Sequence, residues 1–393
     1  MSGCPRHHPI TIPTDGTPLA PSPTLAELRE DSAAVPLLYE DGTTGWLVTR
    51  YDLARSVLED PRFSQLPQRM PAGDGSVAEL DVDSDARAAR QAGNLLALDG
   101  DQHSKIRRAI TSRFSVRAVR AEREAVTAIV SQQLTSMLAL GNRADLLADY
   151  AEPISAAVHR HVLGIPEDLA SEFDRIFVHG APDQDAFDFT RTVLSRAETE
   201  PGDDVLGDLV RSALSPAERE GVAHVLMTSG RDSVAYLIVT SVVALLGHPD
   251  QLGRLRADPS LLAPALEEFQ RFGTMFVSLF PRTALEDVQL EGMIVRAGES
   301  VSVSPVAANR DPRRFSYPDI LDTARDSFGH LGFGHGIHGC VGQQLARLEV
   351  TEALTQLLSA LPSLALVSAE QLRPGAFAHP VPIYAAGSAI VSW

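Results

Sequence analysis

Lysine is nearly missing from this chain: Lys105 is the only one in 393 residues, and arginine carries the rest of the positive charge. Even so, 51 acidic residues outnumber 34 basic ones, leaving a net charge of −17 and a pI near 5.1. Holding nucleic acid requires a basic face against the phosphates, so this balance argues against that class of partner. Cysteine is equally scarce. Cys4 and Cys340 give no disulfide framework, no zinc-ligand spacing and no Cys-x-x-Cys-His attachment for a covalently held haem. Long apolar runs are lacking too. The longest, Ala235 to Leu246, is too short to span a bilayer and carries Thr240 and Ser241. Met1 to Pro21 is polar and proline-rich, without the apolar stretch of a secretory signal. These absences predict a cytoplasmic protein that engages neither membrane nor nucleic acid.

Apolar residues make up 44% of the chain, ample for a large core. We find no internal repeat and no linker, which predicts one domain over 1–393, with 1–34 as a partly flexible arm. Val35 to Tyr39 and Gly45 to Thr49 read as strands around the turn Glu40-Asp41-Gly42, followed by a helix over Tyr51 to Glu59. Gln65 to Ala92 is polar and aperiodic and reads as a long loop. From Gln102 to Leu246 the pattern is helical. Ser215-Pro216-Ala217-Glu218 is a capping box with proline at the first helical position, and predicts one helix running to about Leu246, on the order of 45 Å long. Gly247-His248-Pro249 ends it. Leu261 to Phe272 and Gln343 to Leu358 are further helices, with strand-like segments at Phe276 to Leu279, Val288 to Leu290 and Ile294 to Val303. The fold class expected is mainly α, a large helical bundle with small β-sheets.

The most informative residues are Phe333-Gly334-His335-Gly336-Ile337-His338-Gly339-Cys340-Val341-Gly342. A lone free cysteine is more often a small buried hydrophobe than a ligand. Here it sits in a glycine-rich loop before an amphipathic helix, whose positive end favours a thiolate. Glycines let backbone N–H groups approach the sulfur, and a thiolate so placed suits axial ligation of haem iron.

At Phe333, Gly334, Gly336, His338, Cys340 and Gly342 this segment is similar to the haem-binding loop of the cytochrome P-450 family, and the resemblance extends from about Val35 to the C-terminus. It implies the cytochrome P-450 fold of the soluble bacterial type, haem b as cofactor and Cys340 as the metal ligand. By the same resemblance His103, Arg107, Arg282 and His338 bind the haem propionates. Glu268 and Arg271, three apart on one helix face, resemble the family's Glu-x-x-Arg pair, with Arg325 completing a structural triad. Taken alone, such a pair is commonly an exposed salt bridge of little worth.

The long helix contains Gly230, and an interior glycine costs about 1 kcal/mol, so it usually has a packing or functional reason. The resemblance makes this the oxygen-binding groove, with Gly230 giving room, Asp232 as the acid and Ser233 where a threonine is usual. Serine keeps the hydroxyl and loses the methyl that fixes its rotamer. Arg231 lies either on the exposed far face or in the pocket, where it would bind a substrate carbonyl. Substrate contacts are expected from 65–92, 173–193 and 381–384, and from Met227, Arg231, Met275, Phe276, Val277 and Leu279. Lys105, Arg107, Arg108, Arg113, Arg117 and Arg120 form a basic stretch that would dock an acidic ferredoxin.

The activity implied is O2 activation with electrons from a ferredoxin, itself fed by an NAD(P)H-dependent ferredoxin reductase. The outcome expected is C–H hydroxylation of a small hydrophobic natural product in secondary metabolism. Ser233 keeps a second reading open, oxidative C–C or C–N coupling of an aromatic metabolite such as a cyclic dipeptide. A third is a non-catalytic haem-thiolate sensor or binding protein.

Overall fold

The structure, a computed structural model, describes residues 8–66, 82–372 and 381–393. The chain enters through α1 (Pro23–Asp31) and the hairpin β1 (Ala34–Leu38) and β2 (Thr44–Val48), then α2 (Tyr51–Glu59) and β3 (Phe63–Ser64). Asp41 shapes the hairpin turn by accepting from Thr43 N at 2.8 Å, with Gly42 at φ +78°. The arm expected over 1–34 therefore includes α1, whose Leu25 and Leu28 are buried.

Next come α3 (Ser84–Gly93), α4 (Gly100–Thr111), α5 (Val116–Ala121), α6 (Arg123–Ala139), β4 (Arg143–Asp145), α7 (Glu152–Leu163), α8 (Ala170–Phe173), α9 (Asp183–Thr199) and α10 (Val205–Arg211). The loop expected over 65–92 is corrected at its end. Asp83 caps α3 by accepting from Ala86 N, and the small faces of Ala89 and Gly93 press on Gly221, where an added Cβ would lie 2.0 Å from the Ala89 carbonyl. Tertiary packing thus makes a helix of a stretch whose polarity hides it. The rest of that expected loop, 67–81, lies outside the described residues.

The expected long helix is two helices, α11 (Pro216–Thr228) and α12 (Arg231–Gly247), separated by extended Ser229 and by Gly230 at φ +100°. The 32-residue stretch they span is the only one among the described residues long and apolar enough to cross a membrane, and its most apolar 18-residue window is 67% buried within the protein. The capping box at Ser215 forms as predicted, and its Glu218 also holds Lys105 of α4 at 2.7 Å.

After α13 (Pro249–Ala257) and α14 (Leu262–Phe272), β5 (Arg282–Ala284), β6 (Val288–Leu290), β7 (Met293–Val295) and β8 (Ser300–Val303) precede α15 (Pro305–Ala308), α16 (Gln343–Ala360), β9 (Ala365–Leu372) and β10 (Ala385–Ser392). One sheet has the order β1-β2-β8-β5-β3, with β2 and β8 parallel; β4-β10-β9 and β6-β7 form two more. Phe276 to Leu279 is not a strand: it makes a single bridge, Phe276 to Ile383. The main core lies where α12, α14 and α16 pack with α6 and α7.

Candidate active site

Two glycines decide the shape of the cysteine loop. Gly334 and Gly336 have φ +69° and +70°, conformations costly for any residue with a Cβ. A Cβ on Gly336 would also lie 2.4 Å from the Leu58 carbonyl, so the loop seats directly on α2. The turn closes with Cys340 N donating to the Phe333 carbonyl at 2.8 Å. Cys340 is solvent-accessible, yet its enclosure by the loop still pushes its thiol up. The Gly342 and Gln343 backbone N–H groups and the Arg107 and Arg347 guanidiniums pull the other way and favour the thiolate.

The predicted cationic partners gather beside it. The His103 and His338 rings lie 4.4 Å apart, and His338 Nε2 is 2.9 Å from Asp99 Oδ1. Arg107 donates to the Gly339 carbonyl at 2.6 Å, on the residue preceding the cysteine. Arg282 is buried and donates from Nη1 to the Leu58 carbonyl at 3.2 Å. His103 Nε2 and Arg282 Nε are buried and have no hydrogen-bond partner. Burial pushes His103 down to about 4, with the neighbouring His338 and Arg107 adding to it, and pushes Arg282 down to about 10. Buried donors without acceptors are costly in isolation, so the site suits an anionic group brought from outside the chain. Haem b, with its two carboxylates, matches these donors.

Asp99, N-terminal to α4, is a further residue of this site for which the sequence pattern gives no signal. Its carboxylate accepts from Ser64 Oγ at 2.5 Å, Gln65 N at 2.7 Å and His338. Burial works against its charge, but these bonds outweigh it and hold the carboxyl below its ordinary range.

Glu268, Arg271 and Arg325 come together as predicted, but in the interior. The side chains of Glu268 and Arg271 are 0% exposed, with a bidentate pair at 2.7 and 2.8 Å. Arg325 Nε reaches Glu268 Oε1 at 3.2 Å. Ser327 Oγ and Asp322 N donate to the same carboxylate, and Arg271 Nη1 donates to the Asn309 and Pro318 carbonyls. The pair is therefore not the weak exposed bridge that its spacing alone suggests.

The break between α11 and α12 is flanked by contacts from α7. His159 Nε2 lies 2.8 Å from the Leu226 carbonyl in the last turn of α11, and Ser155 Oγ donates to the Arg231 carbonyl at 2.8 Å. Four apart, these residues share a face of α7 and straddle the break. Behind Ser155 sits Glu349 of α16, hydrogen-bonded to it, with a carboxyl that burial pushes up to about 8. Ser233 Oγ donates to the Gly230 carbonyl at 2.9 Å, and Asp232 pairs with Arg231 at 2.5 Å while its side chain stays 67% exposed. Arg231 does not lie on an exposed face. It is buried, and its Nη2 donates to the Phe177 carbonyl at 2.7 Å.

The expected substrate segments fall into two groups. Phe173, Phe177 and Phe189 form an aromatic cluster with centroids 4.9 to 6.1 Å apart. Met227 lies against Thr190 of α9. Met275, Phe276 and Val277 meet the C-terminal turn through Val277 N to the Pro382 carbonyl and Tyr384 N to the Met275 carbonyl. Val277 is fully buried in a core cluster against which Phe276 packs, whereas Leu279 is half-buried against another. In the basic stretch, Lys105 and Arg113 are committed to Glu218 and to Asp203 and Asp208, leaving Arg108, Arg117 and Arg120 exposed and without a salt bridge among the described residues.

Comparisons with known proteins show the family. The cytochrome P450 family pattern matches residues 255–364, which contain the Glu268 pair and Cys340. Cytochrome P450 105C1 of a Streptomyces species is 34% identical, over 95% of both chains. The cytochrome P450 monooxygenase PikC of Streptomyces venezuelae is 37% identical, over 88% of this chain and 85% of its own. The crystal structure of CYP105N1 from Streptomyces coelicolor A3(2) superposes with a TM-score of 0.85 at 31% identity, over 99% of each chain. On these likenesses of sequence and fold, the chain belongs to the cytochrome P450 family, as a monooxygenase that binds haem b.

Proposed function

We propose that Cys340 is the axial thiolate of the haem and that this enzyme hydroxylates a small hydrophobic natural product. The observation that carries the placement is the pair of buried, partnerless donors, His103 Nε2 and Arg282 Nε, beside the cysteine loop. Together with His338 and Arg107 they would hold the propionates. When bound, the haem supplies O2 activation at its iron. The chain's own contribution lies around it. The Gly342 and Gln343 N–H groups keep charge on the sulfur, and the Glu268–Arg271–Arg325 triad braces the segment leading to the loop. At the break, Asp232 faces solvent and passes protons inward, and Ser233 delivers them beside Gly230. Arg108, Arg117 and Arg120 would receive an acidic ferredoxin, fed by its NAD(P)H-dependent reductase.

Oxidative coupling is the second reading, and one observation favours it: both relay groups already have partners, Ser233 with the Gly230 carbonyl and Asp232 with Arg231. Product mass separates the two, since hydroxylation adds an oxygen and coupling removes hydrogens. The primary test is the CO-difference spectrum of the dithionite-reduced protein beside Cys340→Ala. The red-shifted Soret band of thiolate-ligated haem, lost in the variant, is expected; a band typical of histidine ligation would overturn the proposal.

A further inference from the structure

Next to the buried Glu268 stands a second acid, Glu267, with a different set of partners. Arg347 of α16 is held on it in a bidentate pair, Nε to Oε1 at 2.6 Å and Nη2 to Oε2 at 2.9 Å. The guanidinium of Arg347 lies over the Phe333 ring, 4.6 Å from its centroid. On another side of that ring is His330, centroid to centroid 5.6 Å, with Nε2 at 3.2 Å from Glu267 Oε2. Gly332 N donates to His330 Nδ1 at 3.0 Å, so the proton of the neutral ring is on Nε2 and points at Glu267. Glu267, Arg347, Phe333 and His330 thus close a ring of contacts. Phe333 in turn carries the carbonyl that receives Cys340 N, and the Arg347 charge is among those that favour the Cys340 thiolate.

We propose that Glu267 is a positioning residue that sets the electron affinity of the haem-thiolate centre, through the charge and placement of Arg347. The inference rests on the reading of Cys340 as the axial ligand. Adding an electron makes the centre more negative, so a nearby cation favours the reduced form and a nearby anion opposes it. In the native ring the carboxylate opposes the Arg347 field at the sulfur. Removing that carboxylate while keeping the shape leaves the cation uncompensated, and removing the cation leaves the acid.

The test is spectroelectrochemical titration of the haem-loaded protein. Glu267→Gln should raise the reduction potential, Arg347→Gln should lower it, and Glu267→Asp should return it toward the native value, all with the thiolate-type CO band retained. A pure packing role would move neither potential, or move both in one direction, and either result overturns the proposal. If Glu267→Gln fails to hold haem, the sign for Arg347→Gln alone decides: an unchanged or raised potential is the overturning result. Loss of the thiolate band from the native protein would instead sink the ligand assignment, so the two failures are distinguishable.

Discussion

Glu349 is a residue whose chemistry departs far from its formula. Fully enclosed in α16, it is pushed up to about 8, and its Oε1 has no partner. At neutral pH it is a protonated acid, able to donate to Ser155, whose own hydroxyl donates to the Arg231 carbonyl. The sign of its linkage to stability follows. The folded state binds the proton more tightly than the unfolded chain, so its contribution is complete below the ordinary glutamate range and is lost as pH rises toward about 8. We therefore expect Glu349 to impose a downward slope on stability between pH 5 and pH 8, on the order of a few kcal/mol, against the opposite slope contributed below pH 6.5 by buried histidines such as His103. In Glu349→Gln that slope should flatten, and thermal melts across the range will check it. The residue itself is plain in the sequence. Its protonation state is not, because desolvation comes from helices far away in the chain.

The break between α11 and α12 belongs to the element scale. Every local signal from Ser215 to Leu246 favours a single helix, and the capping box and terminal glycine form where the sequence places them. What the pattern omits is competition for the backbone. His159 takes the Leu226 carbonyl and Ser155 the Arg231 carbonyl, and Gly230 absorbs the turn at φ +100°. A Cβ at Gly230 would meet only His159 Cε1, at 3.8 Å, so space is available and the dihedral is the obstacle. Gly230→Ala should cost about 1–3 kcal/mol, read from denaturant unfolding, and should increase peroxide release per NAD(P)H consumed by disturbing Asp232 and Ser233. Unchanged stability together with unchanged coupling would show that the left-handed turn is not needed. Helix α3 teaches a related lesson: its alanines and Gly93 look featureless until Gly221 of α11 lies against them.

Across the whole molecule, a charge of −17 would repel an acidic electron donor everywhere except where arginine is left free. The basic stretch around α4 and α5 looks larger in sequence than it is in space, because Lys105 and Arg113 are neutralised by residues about a hundred positions onward. Arg108, Arg117 and Arg120 remain. Charge reversal by Arg117→Glu with Arg120→Glu should raise the KM for ferredoxin at least tenfold at low salt, with the difference shrinking as ionic strength rises. Steady-state reduction at two salt concentrations checks this, and kcat should change little because neither residue lies in the buried site.

Sequence alone determined the glycine pattern of the cysteine loop, the spacing that pairs Glu268 with Arg271 and the limits of helices such as α2, α14 and α16. These depend on neighbours within about four residues, where glycine dihedrals, caps and helical spacing act. The tertiary structure decided what those residues experience. It buried the Glu268 pair completely, left His103 Nε2 and Arg282 Nε without acceptors, brought Asp99 onto His338 and broke the long helix against α7. Burial and hydrogen-bond competition are made by segments distant in sequence, and they set charge, protonation and backbone path where local pattern offers no guide.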